Sequence, residues 1–189
     1  MSLEFNRRSF LKYSAAAAVA VAGSSLLVGC GEDEYQKTGK IGSTLKLMGA
    51  FKLESAKLDS APTATAADKT LTCNFSLKCT SKYGLNIVPA NFQVEVTSKA
   101  TKKVTTYHAY NTDGTGHVSL SKSDNYLEKD ESLETELKVE NISVADGATI
   151  QVKFWPRPQA SEGSQAYTRA FCTWKMVAKD NGTGSITLE

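Results

Sequence analysis

The sequence predicts an all-β protein, an antiparallel β-sandwich that follows an apolar N-terminal helix. From about residue 44 onward, apolar and polar residues alternate in many short runs, which is typical of half-buried strands. Turn signals containing Gly, Asn or Asp separate these runs, and no later stretch has the spacing of an amphipathic helix. About eight or nine short strands in one segment indicate two packed sheets.

The first thirty residues have the layout of a secretory leader. Two adjacent arginines precede an apolar run at residues 13–29. This run is mostly Ala, Val, Gly and Ser, and a stable membrane span needs about 20 predominantly apolar residues. The leader is therefore predicted to be a signal helix, with an uncleaved anchor helix or a cytosolic helix as the alternatives.

Residues 7–12, Arg-Arg-Ser-Phe-Leu-Lys, closely resemble the twin-arginine export motif, although Asn6 stands where Ser or Thr is commoner. The resemblance assigns the export signal to four residues: Arg7, Arg8, Phe10 and Leu11. It implies that the twin-arginine translocase is a partner during export, and that the chain folds before it leaves the cytoplasm.

Residues 27–30, Leu-Val-Gly-Cys, resemble the bacterial lipobox. The resemblance implies that Cys30 is diacylated on its sulfur and becomes the new N-terminus after cleavage. One acyl chain holds a protein only marginally, whereas two anchor it stably. The predicted location is thus the bacterial cell envelope, outside the cytoplasm, with the diacylated Cys30 anchored in the membrane.

These motifs divide the chain into a signal peptide at residues 1–29, a flexible tether at 30–43 and a β-sandwich domain at 44–189. The leader contains more basic than acidic residues, so its removal takes the formal net charge from +2 to near zero. A near-neutral domain lacks the basic surface of a nucleic-acid binder. No nucleic-acid partner is predicted.

Within the domain, strands are predicted where the period is two. The clearest run is residues 71–79. Residues 104–110 and 117–120 flank Asp113-Gly114, and Asp-Gly between strands is a strong hairpin signal. The other predicted strands are 45–53, Phe92–Thr97, 133–139, 149–155, 166–177 and Ile186–Leu188. Loops or exposed polar segments are predicted at 60–68, 81–84, 101–103, 123–132 and 156–164.

Residues 88–94, a charged hairpin and residues 127–137 resemble the telokin-like immunoglobulin-type domains of bacterial lipoproteins. The likeness spans roughly residues 69–155 and rests on the spacing of the strands. It implies an immunoglobulin-like β-sandwich, and it transfers no binding or catalytic site.

Three cysteines follow the leader. Cys73 and Cys79 share the inward face of one predicted strand, where six residues span about 20 Å, so these two cannot form a disulfide. Cys172 is inward on its own predicted strand, and either earlier cysteine could pair with it, as Cys79–Cys172 or Cys73–Cys172. The alternative is three free, buried thiols.

The metal-ligating residues are sparse. The chain contains only His108 and His117, which the predicted hairpin places on either side of its turn. Two histidines without a nearby cysteine or carboxylate triad are a poor ligand set for zinc or copper. Acidic turns at Asp113 and Asp180 could offer oxygens to Ca²⁺, but hairpin geometry explains both. We therefore predict no metal site and no cofactor.

No hydrolase, zinc-protease or phosphate-loop motif is present in the sequence, and no catalytic residue is predicted. The acidic segment from Glu128 to Glu136 is predicted to be a solvated rim. An aromatic contact patch could form from four residues: Tyr107, Tyr110, Trp155 and Arg157. The alternative is that at least some of them pack in the core.

The sequence thus predicts a lipid-anchored, extracytoplasmic, non-enzymatic binding or structural module. Its ligand or protein partner is unknown. The alternative is a redox or metal-handling accessory lipoprotein that is exported in folded form.

Overall fold

The computed structural model of the protein describes residues 35–47, 49–60, 68–109, 117–157, 170–182 and 185–189. These residues belong to one compact unit, Asp33–Glu189. Its elements are β1 (Gln36–Lys40), β2 (Thr44–Lys46), β3 (Gly49–Ser60), β4 (Lys69–Cys79), β5 (Leu85–Ile87), a 3-10 turn (Pro89–Asn91), β6 (Phe92–Thr97), β7 (Val104–His108), β8 (Val118–Leu120), β9 (Asp124–Leu127), β10 (Ser132–Ile142), β11 (Thr149–Phe154), β12 (Phe171–Asp180) and β13 (Ile186–Leu188).

The strands form two main sheets and a small ribbon. The six-stranded sheet has the order β1-β12-β11-β6-β7, with β13 also paired to β12, and the five-stranded sheet has the order β2-β3-β4-β10-β8. β5 and β9 form the ribbon. Among these strand pairs, β1 with β12 is parallel and the others are antiparallel.

The two main sheets pack face to face through aromatic side chains. The ring of Phe75 on β4 contacts three rings of the opposite sheet: Phe92 at 4.9 Å, Phe154 at 5.1 Å and Trp174 at 5.7 Å between centroids. Phe51 on β3 adds a contact to Phe154 at 4.7 Å. All five rings are buried, which makes them the centre of the core. The predicted all-β sandwich is confirmed.

Several predicted strands are present with close to their predicted bounds. β4 buries every second residue, including Leu71, Phe75 and Leu77, because a strand turns alternate side chains to one face. β6, β11 and β13 match their predictions to within a residue. The predicted strand 45–53 is a hairpin instead, since β2 turns back and pairs with β3, with Leu45 opposite Phe51.

The predicted flexible tether at residues 30–43 was wrong for its second half. Gln36–Lys40 forms β1, which runs parallel to β12 and pairs Gln36 with Phe171 and Lys40 with Lys175. Ladder hydrogen bonds to a long, buried partner order this polar segment although it has little apolar character of its own. The sandwich therefore begins before residue 44.

The predicted hairpin around Asp113-Gly114 was also wrong. β7 pairs with β6 in the six-stranded sheet, whereas β8 pairs with β10 in the five-stranded sheet. β7 and β8 therefore belong to different sheets, because each pairs with a longer strand than the other could offer. Residues 110–116, including the Asp-Gly pair, lie outside the described residues.

Two further predicted segments differ from the observed structure. The segment 123–132, predicted to be wholly exposed, contains β9, whose Leu127 is buried opposite Leu85 of β5. The strand predicted at 166–177 is observed at Phe171–Asp180, and residues 166–169 lie outside the described part. Most of the loops predicted at 60–68 and 156–164, namely residues 61–67 and 158–164, also lie outside the described residues. No helix in the described residues has the length and apolar character to cross a bilayer.

Candidate functional site

A groove lies on the outer face of the six-stranded sheet, where β1 and β13 meet along β12. It encloses about 670 Å³ and is lined mainly by apolar atoms. Its lining residues are Thr38, Gly39, Lys40, Thr149, Lys175, Met176, Val177, Lys179 and Glu189. β12 supplies the central part, because alternate residues of a strand share one face and Lys175, Val177 and Lys179 all point outward.

One end of the groove is cationic. Lys40 of β1 stands directly opposite Lys175 of β12 in the parallel ladder, and both side chains are exposed. Within the described ranges, neither lysine has a carboxylate at ion-pair distance. Like charges directly opposite one another on adjacent strands are destabilising. This end can therefore accept an anion.

The other end of the groove contains an ion pair. The ammonium of Lys179 pairs with the carboxylate of Glu189. Backbone hydrogen bonds of 2.8 and 3.1 Å in both directions between Val177 and Glu189 hold that carboxylate beside the strand. Val177, 39% exposed, supplies apolar surface between the two ends.

Sequence reasoning missed this groove. Its residues come from separate parts of the chain, and β1 was predicted to be tether. One signal was available: in the outward-facing series of β12, the apolar Val177 stands between Lys175 and Lys179. Single exposed apolar residues are common on protein surfaces, so this pattern alone does not indicate a groove.

The disulfide that the sequence left possible is absent from the structure. Cys73, Cys79 and Cys172 are all free and buried, so neither Cys79–Cys172 nor Cys73–Cys172 is formed. Their predicted inward orientation is confirmed, since each lies on the core face of its strand. They serve as small apolar residues between the sheets, the alternative that the sequence left open.

Burial also makes two of these thiols unreactive. Removal from water disfavours the thiolate and raises the pKa of Cys73 from 9.0 to about 12. The same cause raises the pKa of Cys172 to about 12, with a smaller opposing effect from the positive charge of Lys37. A nucleophilic or metal-binding cysteine needs the thiolate form, so these two positions are unsuited to such chemistry.

The two histidines are not brought together by a hairpin. His108 ends β7 in the six-stranded sheet, and His117 precedes β8 in the five-stranded sheet. Among the described residues, no three or more His, Cys, Asp or Glu side chains are grouped so that they could hold a metal ion.

The predicted aromatic contact patch does not form. Tyr107 and Trp155 are buried, and the Tyr107 hydroxyl accepts a hydrogen bond from the Ser143 backbone amide at 3.0 Å. Arg157 is exposed, and Tyr110 lies outside the described residues. Tyr107 lies on the inward face of β7 and Trp155 just beyond β11, so core packing, the alternative explanation, holds for these two residues.

A different pair of aromatic residues is exposed beside the β5–β9 ribbon, with Tyr83 in the turn before β5 and Tyr126 on β9. Tyr83 and Tyr126 are 64% and 57% exposed, and the Tyr126 hydroxyl donates a 2.9 Å hydrogen bond to the Tyr83 carbonyl. The Lys82 ammonium lies 4.8 Å from the centre of the Tyr83 ring. These contacts hold both rings in place on the surface.

The predicted rim from Glu128 to Glu136 is exposed at its glutamates. Glu128 and Glu131 belong to one turn, in which the Glu128 amide donates to the Glu131 carboxylate at 2.6 Å. Glu134 and Glu136 lie on the outer face of β10.

The leader residues that were predicted to be functional lie outside the described residues. They are the export residues Arg7, Arg8, Phe10 and Leu11 and the lipidation site Cys30.

Comparison with known proteins supports the export signal. Residues 4–24 match the family described as the twin-arginine translocation pathway signal sequence. This match contains both arginines and the Phe10-Leu11 pair. The chain therefore carries a twin-arginine signal that directs export from the cytoplasm. A search of curated proteins found no match for the chain.

Two solved structures from Bacillus subtilis are similar in outline. The candidate lipoprotein ycdA of strain 168 is 18% identical, with a TM-score of 0.45 over 76% of this chain; the alignment spans 40% of ycdA. The yjhA protein is 9% identical, with a TM-score of 0.44, over 72% of this chain and 96% of its own. At these scores, neither likeness assigns a function or a site.

Proposed function

We propose that the protein is a lipid-anchored, extracytoplasmic β-sandwich that acts as a non-catalytic binding module, with the groove along β12 as its ligand site. The twin-arginine signal at residues 4–24 directs the chain out of the cytoplasm. The mature domain then meets its ligand in the cell envelope.

The proposed anchor is a diacylated Cys30 at the end of the lipobox-like sequence Leu-Val-Gly-Cys. β1 begins at Gln36, so the intervening residues 31–35 can span no more than about 20 Å. A tether this short keeps the sandwich close to the membrane surface. In the proposed arrangement, the strand nearest to the anchor is also one wall of the groove.

The observation that carries the binding role is the groove itself. It is concave and mainly apolar, with a few charged groups at its ends, and these are the usual properties of a small-ligand site. Its volume of about 670 Å³ lies within the range of about 300–1,000 Å³ of such sites.

We further propose that the sandwich is of the immunoglobulin-like class, in line with the telokin-like resemblance of residues 69–155. Domains of this architecture are common on cell surfaces, where they present binding surfaces. This part of the proposal is an analogy at the level of the fold. In the described residues, no observation favours the redox or metal-handling alternative.

Cell fractionation combined with metabolic labelling by an alkyne fatty acid tests the anchor. The wild-type protein is expected in the membrane fraction with label attached. Cys30→Ser is expected to lack the label and to be released or retained as precursor. Ser24→Ala, which leaves both leader motifs intact, serves as the control and should behave as wild type. Labelled, membrane-bound Cys30→Ser would refute the anchor.

A further inference from the structure

We infer that the groove along β12 binds a single-chain amphiphile with an anionic head, of which an alkyl carboxylate is the simplest example. This inference rests on the proposed function, because it names the ligand class for the same groove. It follows from the order of charge and apolar surface along one strand.

The head is assigned to the end formed by Lys40 and Lys175. These residues are direct partners in the parallel ladder, so their positively charged side chains leave adjacent strands at the same level. Within the described part of the chain, no carboxylate compensates them. A carboxylate bound between the two ammonium groups removes their repulsion and adds two charge-assisted hydrogen bonds.

The apolar chain is assigned to the middle of the groove. Val177 follows Lys175 by two residues on the same face of β12, which is about 7 Å along the strand. Its exposed side chain lies beside Thr149 of β11, the residue opposite it in the ladder. An alkyl chain lying across Val177 covers the apolar surface that water otherwise contacts.

The far end of the groove limits which ligands fit. Lys179 lies about 13 Å along β12 from Lys175 and is already neutralised by Glu189. A second anionic group at that end would meet the Glu189 carboxylate. The arrangement therefore favours one anionic head followed by an uncharged chain over a ligand with charges at both ends.

Calorimetric titration with three probes of equal chain length tests the inference: decanoate, decanol and decyltrimethylammonium. The protein is the unlipidated mature chain, residues 30–189 with Cys30→Ser, which contains the whole compact unit Asp33–Glu189. Decanoate is expected to bind roughly tenfold more tightly than decanol, and the cationic probe should bind most weakly.

Two variants separate the head from the chain. Lys40→Gln with Lys175→Gln is expected to lower the affinity for decanoate roughly tenfold and to leave the affinity for decanol unchanged. Val177→Thr is expected to lower the affinity for both probes by the same factor. Lys102→Gln with Lys103→Gln removes the same charge from the turn before β7 and serves as the control, with unchanged binding. Thermal unfolding checks that each variant is folded.

Three results would overturn the inference: no binding of decanoate to the wild-type domain, equal affinity for decanoate and decanol, or decanoate binding that survives the paired substitution of Lys40 and Lys175. Binding to anionic vesicles without binding to decanoate would also overturn it, and would point to the bilayer surface. The protein used in the titrations has Cys30→Ser and carries no lipid. These outcomes are therefore independent of whether Cys30 is the anchor in cells.

Discussion

The side-chain amide of Asn91 donates a 2.7 Å hydrogen bond to the backbone carbonyl of Trp155, which lies just beyond β11. The Asn91 carboxamide oxygen accepts a second bond of 2.7 Å from the Val88 amide. In return, the Trp155 amide donates to the Asn91 carbonyl at 2.8 Å. Asn91 is completely buried. This one side chain therefore joins the 3-10 turn before β6 to the end of β11.

Replacing Asn91 with Ala is expected to destabilise the domain by about 2–4 kcal/mol, because it leaves the Val88 amide and the Trp155 carbonyl unpaired in the interior. Asn74→Ala is the control, since its hydrogen bond to Ser55 is exposed, and it should cost less than about 0.5 kcal/mol. Urea unfolding measures both variants. Equal free energies of unfolding for the two would show that the buried bonds add nothing.

Gly84 allows the close approach of the exposed Tyr126 ring. Its φ is +65°, and an added Cβ would lie 2.5 Å from that ring and 2.7 Å from the Leu127 carbonyl. Gly42→Ala is the matched control, because φ there is +82° and nothing lies within 4 Å. Both substitutions should lower the free energy of unfolding by about 1–2 kcal/mol, because alanine is strained at a positive φ. Gly84→Ala should cost at least about 1 kcal/mol more, as measured by thermal unfolding.

The buried thiols should resist alkylation in the folded protein. The pKa of both Cys73 and Cys172 rises from 9.0 to about 12, so iodoacetamide at pH 8–9.5 finds almost no thiolate at these positions. In urea, all three thiols of the unlipidated chain should react. Between pH 9 and about 12, the unfolded chain loses these protons and the folded chain keeps them. Their contribution therefore lowers stability as the pH rises through that window.

Mass spectrometry shows whether the same cysteines are free or disulfide-linked, when the protein is alkylated and digested without reduction. Peptides with free Cys73, Cys79 and Cys172 are expected from protein that was first unfolded. A Cys172 peptide linked to either earlier cysteine would contradict the structure, as would rapid labelling of the native domain at pH 8.

The period-two pattern was sufficient to predict the central strands. β4 and β6 are flanked by partners on both sides and bury one full face, so burial alone determines their alternation. The export signal was also predictable, because the twin-arginine motif is a local pattern read directly by another protein.

The edges of the sheets were not predictable in the same way. β1 is polar and owes its order to β12, which lies more than a hundred residues later in the sequence. The Asp113-Gly114 signal favoured a local hairpin, but β7 and β8 each pair in a different sheet. Local turn propensity is worth little when a longer ladder competes with it.

The groove could not be predicted for the same reason. Its cationic end requires Lys40 and Lys175 to become neighbours, and that depends on the parallel register of β1 with β12. The aromatic patch differs from the prediction in the opposite direction: Tyr107 and Trp155 are buried, whereas the exposed aromatic residues are Tyr83 and Tyr126. These two lie in segments 81–84 and 123–132, which were predicted to be loops or exposed polar segments.

The lipid anchor is tested most directly by the mass of the N-terminal peptide of the protein purified from membranes of its own host. This peptide is expected to begin at Cys30 and to carry a diacylglyceryl group on the sulfur. Arg7→Lys with Arg8→Lys, which removes both guanidinium groups, is expected to prevent this processed form from appearing outside the cytoplasm. A mature N-terminus at another residue, or an unmodified Cys30, would contradict the proposal of a lipid-anchored envelope module.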